Sequence, residues 1–524
     1  MSDDGIPFRK WLTRHGITIE HLWLAAPFFV LFIKAFRVPL PLLDFWWHLK
    51  MGEIIVFTHS IPRTDLFSFT AAGQPFIVQN WLAEIFYYWA CKAGDFPLLI
   101  FLNTLLLAVA LFLVFLLCRE STPRIRLAAF ISLLACLALP CNARPQVFSF
   151  VLFAFFYWVL DGYRFRRRNR LWLLPVATVV WVNLHGAFVV GLALIAVILL
   201  SETARRLWER ADEEALSFRQ LRNLAFAFAA CAAATLANPE TYRVYGYIHL
   251  VLSDQASQRL VMEWQPPRID TILGIEMFFG LFGLAILGLI YSRRRPKITD
   301  LALFLCFSIF ALTALRNTAW FAIVIAPILA RYWTGVDVLE PLRSLRRFPF
   351  VNSTVRFMEG VPSHPNGHGK VNLALAVLAL IIVVFTSPWI RSRLDPGCLL
   401  DPQTPVAAVD YIDAHNLRGR IFHPQIFGDY LLWRLYPDHG SFIDGRVHLF
   451  GESFVSEYRK IFYDSRWEDK VAAFGIQYLL LSKNTEQTDC STMIHNARES
   501  GRWHIPFEND ISILFEQRDS RTVR

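Results

Sequence analysis

Charged residues are scarce in this chain: only 18% of its 524 residues are Asp, Glu, Lys or Arg, whereas 55% are hydrophobic. The mean hydropathy is +0.38. So large an apolar fraction excludes an ordinary soluble globular domain and indicates repeated segments of membrane-spanning length. The net charge of +9 does not indicate nucleic-acid binding, because the positive residues form short clusters between apolar runs, as in cytoplasmic membrane loops.

Several other common features are also lacking. There is no Cys-x-x-Cys pair among the eight cysteines, so we do not expect a structural zinc site. Cys398 and Cys490 both fall in the polar C-terminal segment and could form a disulfide if that segment lies outside the cytoplasm. No small-residue cleavage site follows the first apolar run, so we expect that run to be kept as the first membrane helix.

Apolar runs recur along most of the chain and predict about eleven membrane spans. They fall near residues 20–36, 98–118, 126–140, 147–161, 171–183, 186–200, 223–238, 273–291, 299–315, 318–333 and 371–388. By the positive-inside rule, the clusters of Lys and Arg between these runs place the N-terminus inside and the residues after 389 outside. The predicted inside segments include Arg9–Arg14, Arg164–Arg170, Arg293–Lys297 and the polar stretch 334–370.

The final segment of the chain changes character, because it has no run long enough to span a membrane. IQYLLLS (476–482) and ISILFEQ (511–517) are typical of strands, and PVAAVDYIDAHN (405–416) is typical of an amphipathic helix. We therefore predict a mainly helical, polytopic membrane protein. Its transmembrane domain would comprise residues 1–392, with a first outside loop at 37–97, and an extracytoplasmic α/β domain would comprise 393–524.

Polar residues without an obvious structural purpose fall on the predicted outside. Ionisable residues near membrane depth are functional candidates by default, because their burial is unfavourable. Asp44 and His48 lie one helical turn apart, a spacing that suits acid–base or metal chemistry. The other candidates are Asp65, Glu84, Arg144, His185, Glu263, Arg316 and Asn317. Their shared side predicts one pocket at the outer interface.

Most of these residues also have a structural alternative. Asp44 could cap the helix that follows it, and Asp65 could stabilise a turn. Glu84 stands where a helix N-terminus favours negative charge. Arg144 and Arg316 could be interfacial residues, but their outside position runs against the positive-inside trend and favours phosphate binding.

The stretch DFWWHLKMGE (44–53) with IPRTDLFSFT (61–70) resembles the pattern D-x-x-W-H-x-x-x-G followed by I-P-x-x-D-x-F-S of bacterial GT-C-type membrane glycosyltransferases. Further blocks are similar to that group and extend the resemblance over nearly the whole chain. They are NWLAE (80–84), ARPQ (143–146), NLHG (183–186), NPE (238–240), EWQPP (263–267), ALRN (314–317), GDYLLWRLYP (428–437) and FIDGR (442–446). The Asp–Glu pair of protein mannosyltransferases is absent, since Phe45 follows Asp44.

The resemblance implies a fold with many spans, a catalytic aspartate in the first outside loop and a C-terminal outside domain. It implies that Asp44 is the catalytic base or a carboxylate that binds a metal ion. Asp65 would be the second carboxylate of the loop, and His48 would lie beside them. Asp44, His48 and Asp65 are also the candidates for holding a divalent cation, Mg²⁺ or Mn²⁺. The expected substrate-binding residues are Glu84, Arg144, His185, Glu263, Arg316, Asn317, Asp429, Asp444 and Arg446.

These features predict a glycosyltransferase with inverting chemistry in the inner membrane. It would move a sugar from a polyprenyl-phosphate donor to an extracytoplasmic glycan, lipid or protein acceptor. Two alternatives stay open at this stage. The chain could be a transporter or lipid flippase, although no duplicated halves of the kind many transporters show are visible. It could also be a non-catalytic envelope assembly protein, in which Asp444 and Arg446 form only a turn and a salt bridge.

Overall fold

A computed structural model describes residues 17–208, 214–255, 258, 262–274, 278–336, 347–353, 369–485 and 488–518. The N-terminal basic residues and most of the stretch 334–370, both predicted to be cytoplasmic, lie outside these ranges. In the described part the fold is mainly helical, with one small sheet. Its first helices are α1 (Ile19–Arg37), α2 (Phe45–Thr58), α3 (Trp81–Ser121), α4 (Ile125–Ala138), α5 (Gln146–Arg166), α6 (Leu173–Leu184), α7 (Phe188–Trp208), α8 (Phe218–Ala234) and α9 (Arg243–Ser253).

The helical body continues through a second set of elements. These are a 3₁₀ turn (Met262–Trp264), α10 (Ile272–Gly274), α11 (Gly280–Tyr291), α12 (Ile298–Thr313), a 3₁₀ turn (Leu315–Asn317), α13 (Thr318–Trp333), α14 (Gly369–Phe385) and α15 (Pro388–Leu394). The apolar runs of the sequence are thus helical, as predicted. The run at 98–118 belongs to a longer helix, α3, which begins at Trp81 and is broken at Gly94 and Asp95.

Four of the described helices are long and apolar enough to cross a membrane, namely α1, α3, α5 and α7. The pair α14 and α15 passes the same test together, with a bend of 53° between them. Helices α4, α6, α11 and α12 are apolar but shorter. The chain therefore has the helices of a multi-pass membrane protein, while the count of eleven spans and the N-inside orientation stay predictions.

The C-terminal part contains a four-stranded sheet flanked by helices. Its elements are a 3₁₀ turn (Pro396–Leu399), α16 (Val406–Ala414), β1 (Arg420–Phe422), α17 (Gln425–Leu435), α18 (Val447–Ile461), α19 (Trp467–Ala473), β2 (Ile476–Ser482), α20 (Ser491–Glu499), β3 (Trp503–Glu508) and β4 (Ser512–Gln517). The strand order is β1-β2-β4-β3, with β1 and β2 parallel and the other pairs antiparallel. The strands predicted at 476–482 and 511–517 and the helix predicted at 405–416 are confirmed.

The loop after α1 and the C-terminal part share a hydrophobic core. Trp46 of α2 packs against Tyr430 and Trp433 of α17, with ring centroids 5.1 and 4.8 Å apart. Parallel β-bridges join Leu40 to Leu400 and Ser68 to Ser441. The predicted domain boundary at 392/393 falls inside α15. Cys398 and Cys490 are free thiols that pack in different clusters, so the possible disulfide is not formed.

Buried ion pairs join the ends of four helices far from this shared core. Arg164 of α5 binds Glu202 of α7 at 2.9 Å. Arg331 of α13 binds Asp300 of α12 at 2.7 Å and Asp161 of α5 at 3.1 Å. The opposite ends of the same four helices approach Arg144, His185 and Arg316, so the ion pairs fix the helices that shape the cavity described below.

Candidate active site

Asp44 occupies an unusual backbone conformation immediately before α2. Its φ of 69° and ψ of −43° lie in a region that residues with a side chain rarely adopt. The Phe45 amide donates to the Leu43 carbonyl at 2.9 Å, which makes Asp44 the central residue of a tight γ-turn. Such a conformation costs about 1–3 kcal/mol and persists only where its surroundings enforce it, commonly at functional sites. The Asp44 side chain makes no capping hydrogen bond to α2, so the helix-cap alternative is not supported.

The Asp44 carboxylate instead faces two arginines and a glutamate. Arg144 lies 3.3 Å from Asp44 Oδ2 and donates to both oxygens of Glu263 at 2.7 Å. Burial raises the pKa of Asp44, and Arg144 opposes that rise only in part. Burial would also raise the pKa of Glu263, but Arg144 and Arg316 hold it below its usual value. Asp44 is therefore a stronger base than a surface aspartate, while Glu263 neutralises Arg144.

Arg316 differs from Arg144 because no carboxylate of the described residues lies within ion-pair distance of it. Its guanidinium lies over the Trp264 ring at 4.5 Å from the centroid. Within the described ranges it makes no ion pair, whereas Arg144 makes two. A guanidinium that lies over an aromatic face keeps N–H groups available for an anion such as phosphate.

His48 is held by a buried glutamate. Its Nδ1 lies 2.7 Å from Glu84 Oε1, and Glu84 is completely buried. Burial and the nearby charges of His185, Arg144 and Arg446 lower the pKa of His48 well below 6.5, so the ring is neutral. In the tautomer whose Nδ1–H donates to Glu84, Nε2 is the acceptor. Gly52 makes this contact possible, since a β-carbon there would collide with the Glu84 carbonyl oxygen where α2 crosses α3.

His185 presents the opposite hydrogen-bonding role. Its Nδ1 lies 2.9 Å from the Ser149 hydroxyl and 3.3 Å from the Ala187 amide nitrogen, so Nδ1 accepts. The Ser149 oxygen in turn accepts from Trp181 Nε1 at 2.7 Å. Burial and Arg316 lower the pKa of His185 to about 3. The neutral ring therefore carries its proton on Nε2 and can donate there.

These groups line a cavity of about 570 Å³. Its polar end holds Asp44, His48, Arg144, His185, Glu263, Arg316 and Asn317. Its other end is an apolar slot formed by Val189, Val190, Ala193 and Val197 of α7 with Cys306, Phe307 and Phe310 of α12. Positions 189 to 197 extend over two turns of helix, or roughly 12 Å. The cavity thus joins a charged end to an apolar end.

Asp65, Asp444 and Arg446 form a buried cluster. Arg446 Nη1 donates to Asp65 and Arg446 Nη2 to Asp444, each at 2.6 Å, and all three side chains are inaccessible. Asp65 also accepts from the backbone amides of Phe67 and Ser68 at 3.1 and 3.0 Å. Burial alone would raise the pKa of Asp444, but Arg446 holds it below its usual value.

This cluster bears on where several of the expected site residues lie. Asp65 and Asp444 do not line the cavity, and Arg446 lines it while its guanidinium is bound to both carboxylates. The arrangement favours the structural alternatives: Asp65 shapes its turn, and Asp444 forms a salt bridge. The same holds for Glu84, which reaches the cavity only through His48.

Asp429 and Asn317 also make contacts within the protein. Asp429 is buried and accepts from the Gly445 amide at 2.7 Å and from the Asp44 amide. The Asn317 amide donates to the Phe310 carbonyl at 3.2 Å and to Thr313 Oγ1 at 3.0 Å, close to the end of α12. Of the twelve residues predicted from sequence, Asp65, Glu84, Asp429 and Asp444 lie behind the cavity wall.

Several lining residues lie outside the blocks recognised in the sequence. These aromatic and polar side chains are Gln79, Tyr247, Trp320, Gln425 and His448, whereas Trp47 and Trp264 belong to recognised blocks. Tyr247 and His448 come from α9 and α18, which lie in unrelated parts of the sequence, and their rings meet at 5.5 Å. Only the tertiary fold brings them together.

The site does not form a metal centre of three side chains. Among the residues that the structure describes, no group of three or more His, Cys, Asp or Glu side chains is placed to hold a metal ion. The three expected ligands are engaged elsewhere: Asp44 by Arg144, His48 by Glu84, and Asp65 by Arg446. This donor set does not fit a resident Mg²⁺ or Mn²⁺ ion, and arginines supply the positive charge beside Asp44.

Comparison with known proteins yields matches at the level of structure only. No protein-family model and no curated protein sequence matches the chain. One similar solved structure is the oligosaccharyltransferase AglB of Archaeoglobus fulgidus, in complex with an inhibitory peptide and a dolichol-phosphate. It is 12% identical with a TM-score of 0.54, over 90% of this chain and 70% of AglB.

A second similar structure is ArnT of Cupriavidus metallidurans in the apo state. It is 15% identical with a TM-score of 0.50, over 97% of this chain and 98% of ArnT. Both are GT-C glycosyltransferases. At these identities the likeness concerns the fold, which extends over nearly the whole chain and includes its C-terminal part. The chain therefore has the fold of these two GT-C glycosyltransferases.

Proposed function

We propose that this chain is a membrane glycosyltransferase that moves a sugar from a polyprenyl-phosphate donor to an extracytoplasmic acceptor. The observation that carries the proposal is the two-part cavity, in which an apolar slot ends beside Arg316 and Asp44. A lipid-linked sugar has the matching parts in the same order: an apolar tail, a phosphate and a sugar. AglB, which shares the fold, binds dolichol-phosphate, a lipid of this class.

The donor would lie along the cavity with its tail between α7 and α12. Arg316 would bind the phosphate, since its guanidinium is free of ion pairs to described residues. The sugar would then reach the polar end, where Trp47 and Trp264 offer aromatic faces. His48 Nε2 would accept a hydrogen bond from a hydroxyl group, and His185 Nε2–H would donate one.

In the transfer step, Asp44 takes the proton of the acceptor nucleophile as that atom attacks the anomeric carbon. The bond between the anomeric carbon and the phosphate oxygen breaks, and its electron pair leaves with the lipid phosphate. Arg316 stabilises the charge that develops on this leaving group. A single displacement of this kind inverts the anomeric configuration. Carboxylate bases in such positions typically contribute about 10²–10⁴-fold in rate.

The distribution of positive charge supports an outside position for the cavity. Arg166–Arg168 and Arg293–Arg295 lie at helix ends opposite the cavity, where the positive-inside rule favours the cytoplasm. The catalytic end, with the C-terminal part docked on it, would then face the periplasm.

The test is transfer by the purified protein from a panel of labelled polyprenyl-phosphate sugars. Asp44→Asn keeps the size of the side chain but removes the base, so we expect the rate to fall by about 100-fold or more. Asp413→Asn, an exposed aspartate on α16, is the matched control and should transfer at the wild-type rate. Full activity of Asp44→Asn would refute the assigned base. Uptake of labelled lipid into proteoliposomes without any transfer would favour the flippase alternative.

A further inference from the structure

We propose that Asp429 is a positioning residue for the transfer step, which holds the backbone of Asp44 so that the Asp44 carboxylate faces the cavity. The inference rests on the proposed role of Asp44 as the base. It gives Asp429, which the sequence predicts to bind substrate, a different role. Asp429 lies on α17, far along the chain from the loop whose backbone it binds.

Both oxygens of the Asp429 carboxylate are committed to backbone amides. Oδ2 accepts from the amide of Asp44, and Oδ1 accepts from the amide of Gly445 at 2.7 Å. Asp429 is completely buried, so water does not compete for these hydrogen bonds. We call this arrangement, made of the Asp429 carboxylate and the amides of residues 44 and 445, the Asp429 clasp.

The clasp acts on the residue whose conformation most needs support. Asp44 has a φ of 69°, where a side chain is unfavourable, and its own side chain does not cap α2. A relaxed backbone would turn the Asp44 carboxylate away from Arg144, which now lies 3.3 Å from it. The Asp429 side chain, which accepts the Asp44 amide, gives the strained turn a buried partner outside the loop.

Gly445 shows how closely the two aspartates are fitted together. A β-carbon at Gly445 would stand 2.6 Å from Asp44 Oδ1 and 2.8 Å from Asp429 Oδ2. The two carboxylates therefore flank one point, and only glycine leaves room for both. The support for Asp429 is rigid in turn, because the next residue, Tyr430, packs edge-on against Trp46 of α2.

The first test measures steady-state kinetics of Asp429→Asn. Asparagine keeps one accepting oxygen and replaces the other by an NH₂ group that cannot accept, so one amide of the clasp loses its partner. We expect kcat to fall by about 100-fold, the effect of a small misplacement of a catalytic group, with the donor KM little changed. Gly445→Ala perturbs the same clasp from the other side and should lower kcat in the same way.

Val455→Ala is the matched control for lost stability. Val455 is buried in the hydrophobic core around the sheet, a cluster that includes no residue of the clasp, so its truncation should lower the melting temperature of the C-terminal part. Two results together would support the proposal. Asp429→Asn and Gly445→Ala should both have a lower kcat, and Val455→Ala should keep the wild-type kcat although its Tm falls by as much or more. Equal kcat in Asp429→Asn and Val455→Ala would overturn the proposal.

Hydrogen exchange gives a second readout that needs no substrate. The Asp44 amide should be protected in the wild-type protein and exchange faster in Asp429→Asn or Gly445→Ala, whereas Val455→Ala should leave it protected. Unchanged exchange at Asp44 in both clasp variants would overturn the clasp even if transfer were lost. If the wild-type protein transferred no sugar, the proposed function would fail, and the exchange measurement would still decide whether the clasp holds Asp44.

Discussion

At the scale of single residues, the Asp44 carboxylate is subject to opposing influences. Burial and Glu263 raise its pKa, while Arg144 and Arg316 lower it, and the net effect is a rise above 3.8. The proposed base works only in its ionised form. The rate should therefore decline as the pH falls through this raised pKa, at a higher pH than for a surface aspartate.

Arg144→Gln tests this balance. Loss of the guanidinium removes a group that lowers the pKa of Asp44 and leaves the charge of Glu263 unpaired, so the pKa of Asp44 should rise further. We expect Arg144→Gln to have a lower kcat/KM than the wild-type protein. The decline of its kcat/KM on the acid side should also begin at a higher pH.

The matched control for Arg144→Gln is Arg418→Gln, which breaks only an exposed pair with Asp438. This variant should keep the wild-type profile. An acid limb that stays in place, or moves to lower pH, in Arg144→Gln would show that Asp44 is not the titrating base.

At the scale of elements, helices α7 and α12 determine the shape and polarity of the apolar slot. Their apolar side chains form the slot, while their ends far from the slot are fixed by ion pairs to α5 and α13. Because both helices are anchored, the width of the slot between them depends on the size of the side chains that line it. A single larger side chain should therefore exclude the proposed lipid tail from the slot.

Ala193→Trp should block the slot. Ala193 is exposed on the slot side of α7, so an indole there fills the space proposed for the lipid tail without disturbing the core. We expect a large rise in KM for long-chain polyprenyl donors and a smaller rise for a donor with a short tail.

Leu200→Trp, at a 70% exposed position of the same helix outside the slot, is the control and should leave both KM values unchanged. An equal rise for short and long donors in Ala193→Trp would contradict the placement of the tail.

At the scale of the whole molecule, the Arg446 cluster joins the loop after α1 to the C-terminal part. Arg446→Met should destabilise the protein by about 3–5 kcal/mol, because two buried carboxylates lose their cation. Thermal unfolding in detergent would measure the loss. Arg434→Met, which breaks a partly exposed pair with Asp410, should change the stability by no more than about 1 kcal/mol.

The destabilisation caused by Arg446→Met should depend on pH. In the wild-type protein Arg446 depresses the pKa of Asp444, so this stabilisation is present above the ordinary value of 3.8 and is lost as the pH falls through the depressed one. Without the guanidinium, Asp444 can be protonated at higher pH, which relieves the unpaired charge in the variant. The difference in Tm between wild type and Arg446→Met should therefore shrink on acidification, and a constant difference would argue against the cluster.

The sequence predicted the helices and strands of this fold better than it predicted which polar residues line the cavity. Runs of apolar residues and the alternation in IQYLLLS report local burial, so the helices and β2 could be placed in advance. The spacing of Asp44 and His48 likewise pointed to the cavity. Whether a polar residue lines the cavity or lies behind it depends on contacts that no local pattern encodes: Asp65 is oriented by Arg446, and Tyr247 meets His448 through tertiary folding alone.

The Asp429 clasp also has a consequence for the timing of biosynthesis. Asp44 and Asp429 are 385 positions apart in the sequence. The helices that form the cavity are therefore synthesised long before Asp429, the residue that binds the Asp44 amide. Chains fold from the N-terminus as they emerge. A nascent chain would thus hold the apolar slot in the membrane while the proposed base is still unpositioned. Turnover by the proposed mechanism would begin only when translation has passed α17 and FIDGR, so half-made chains would not consume the donor.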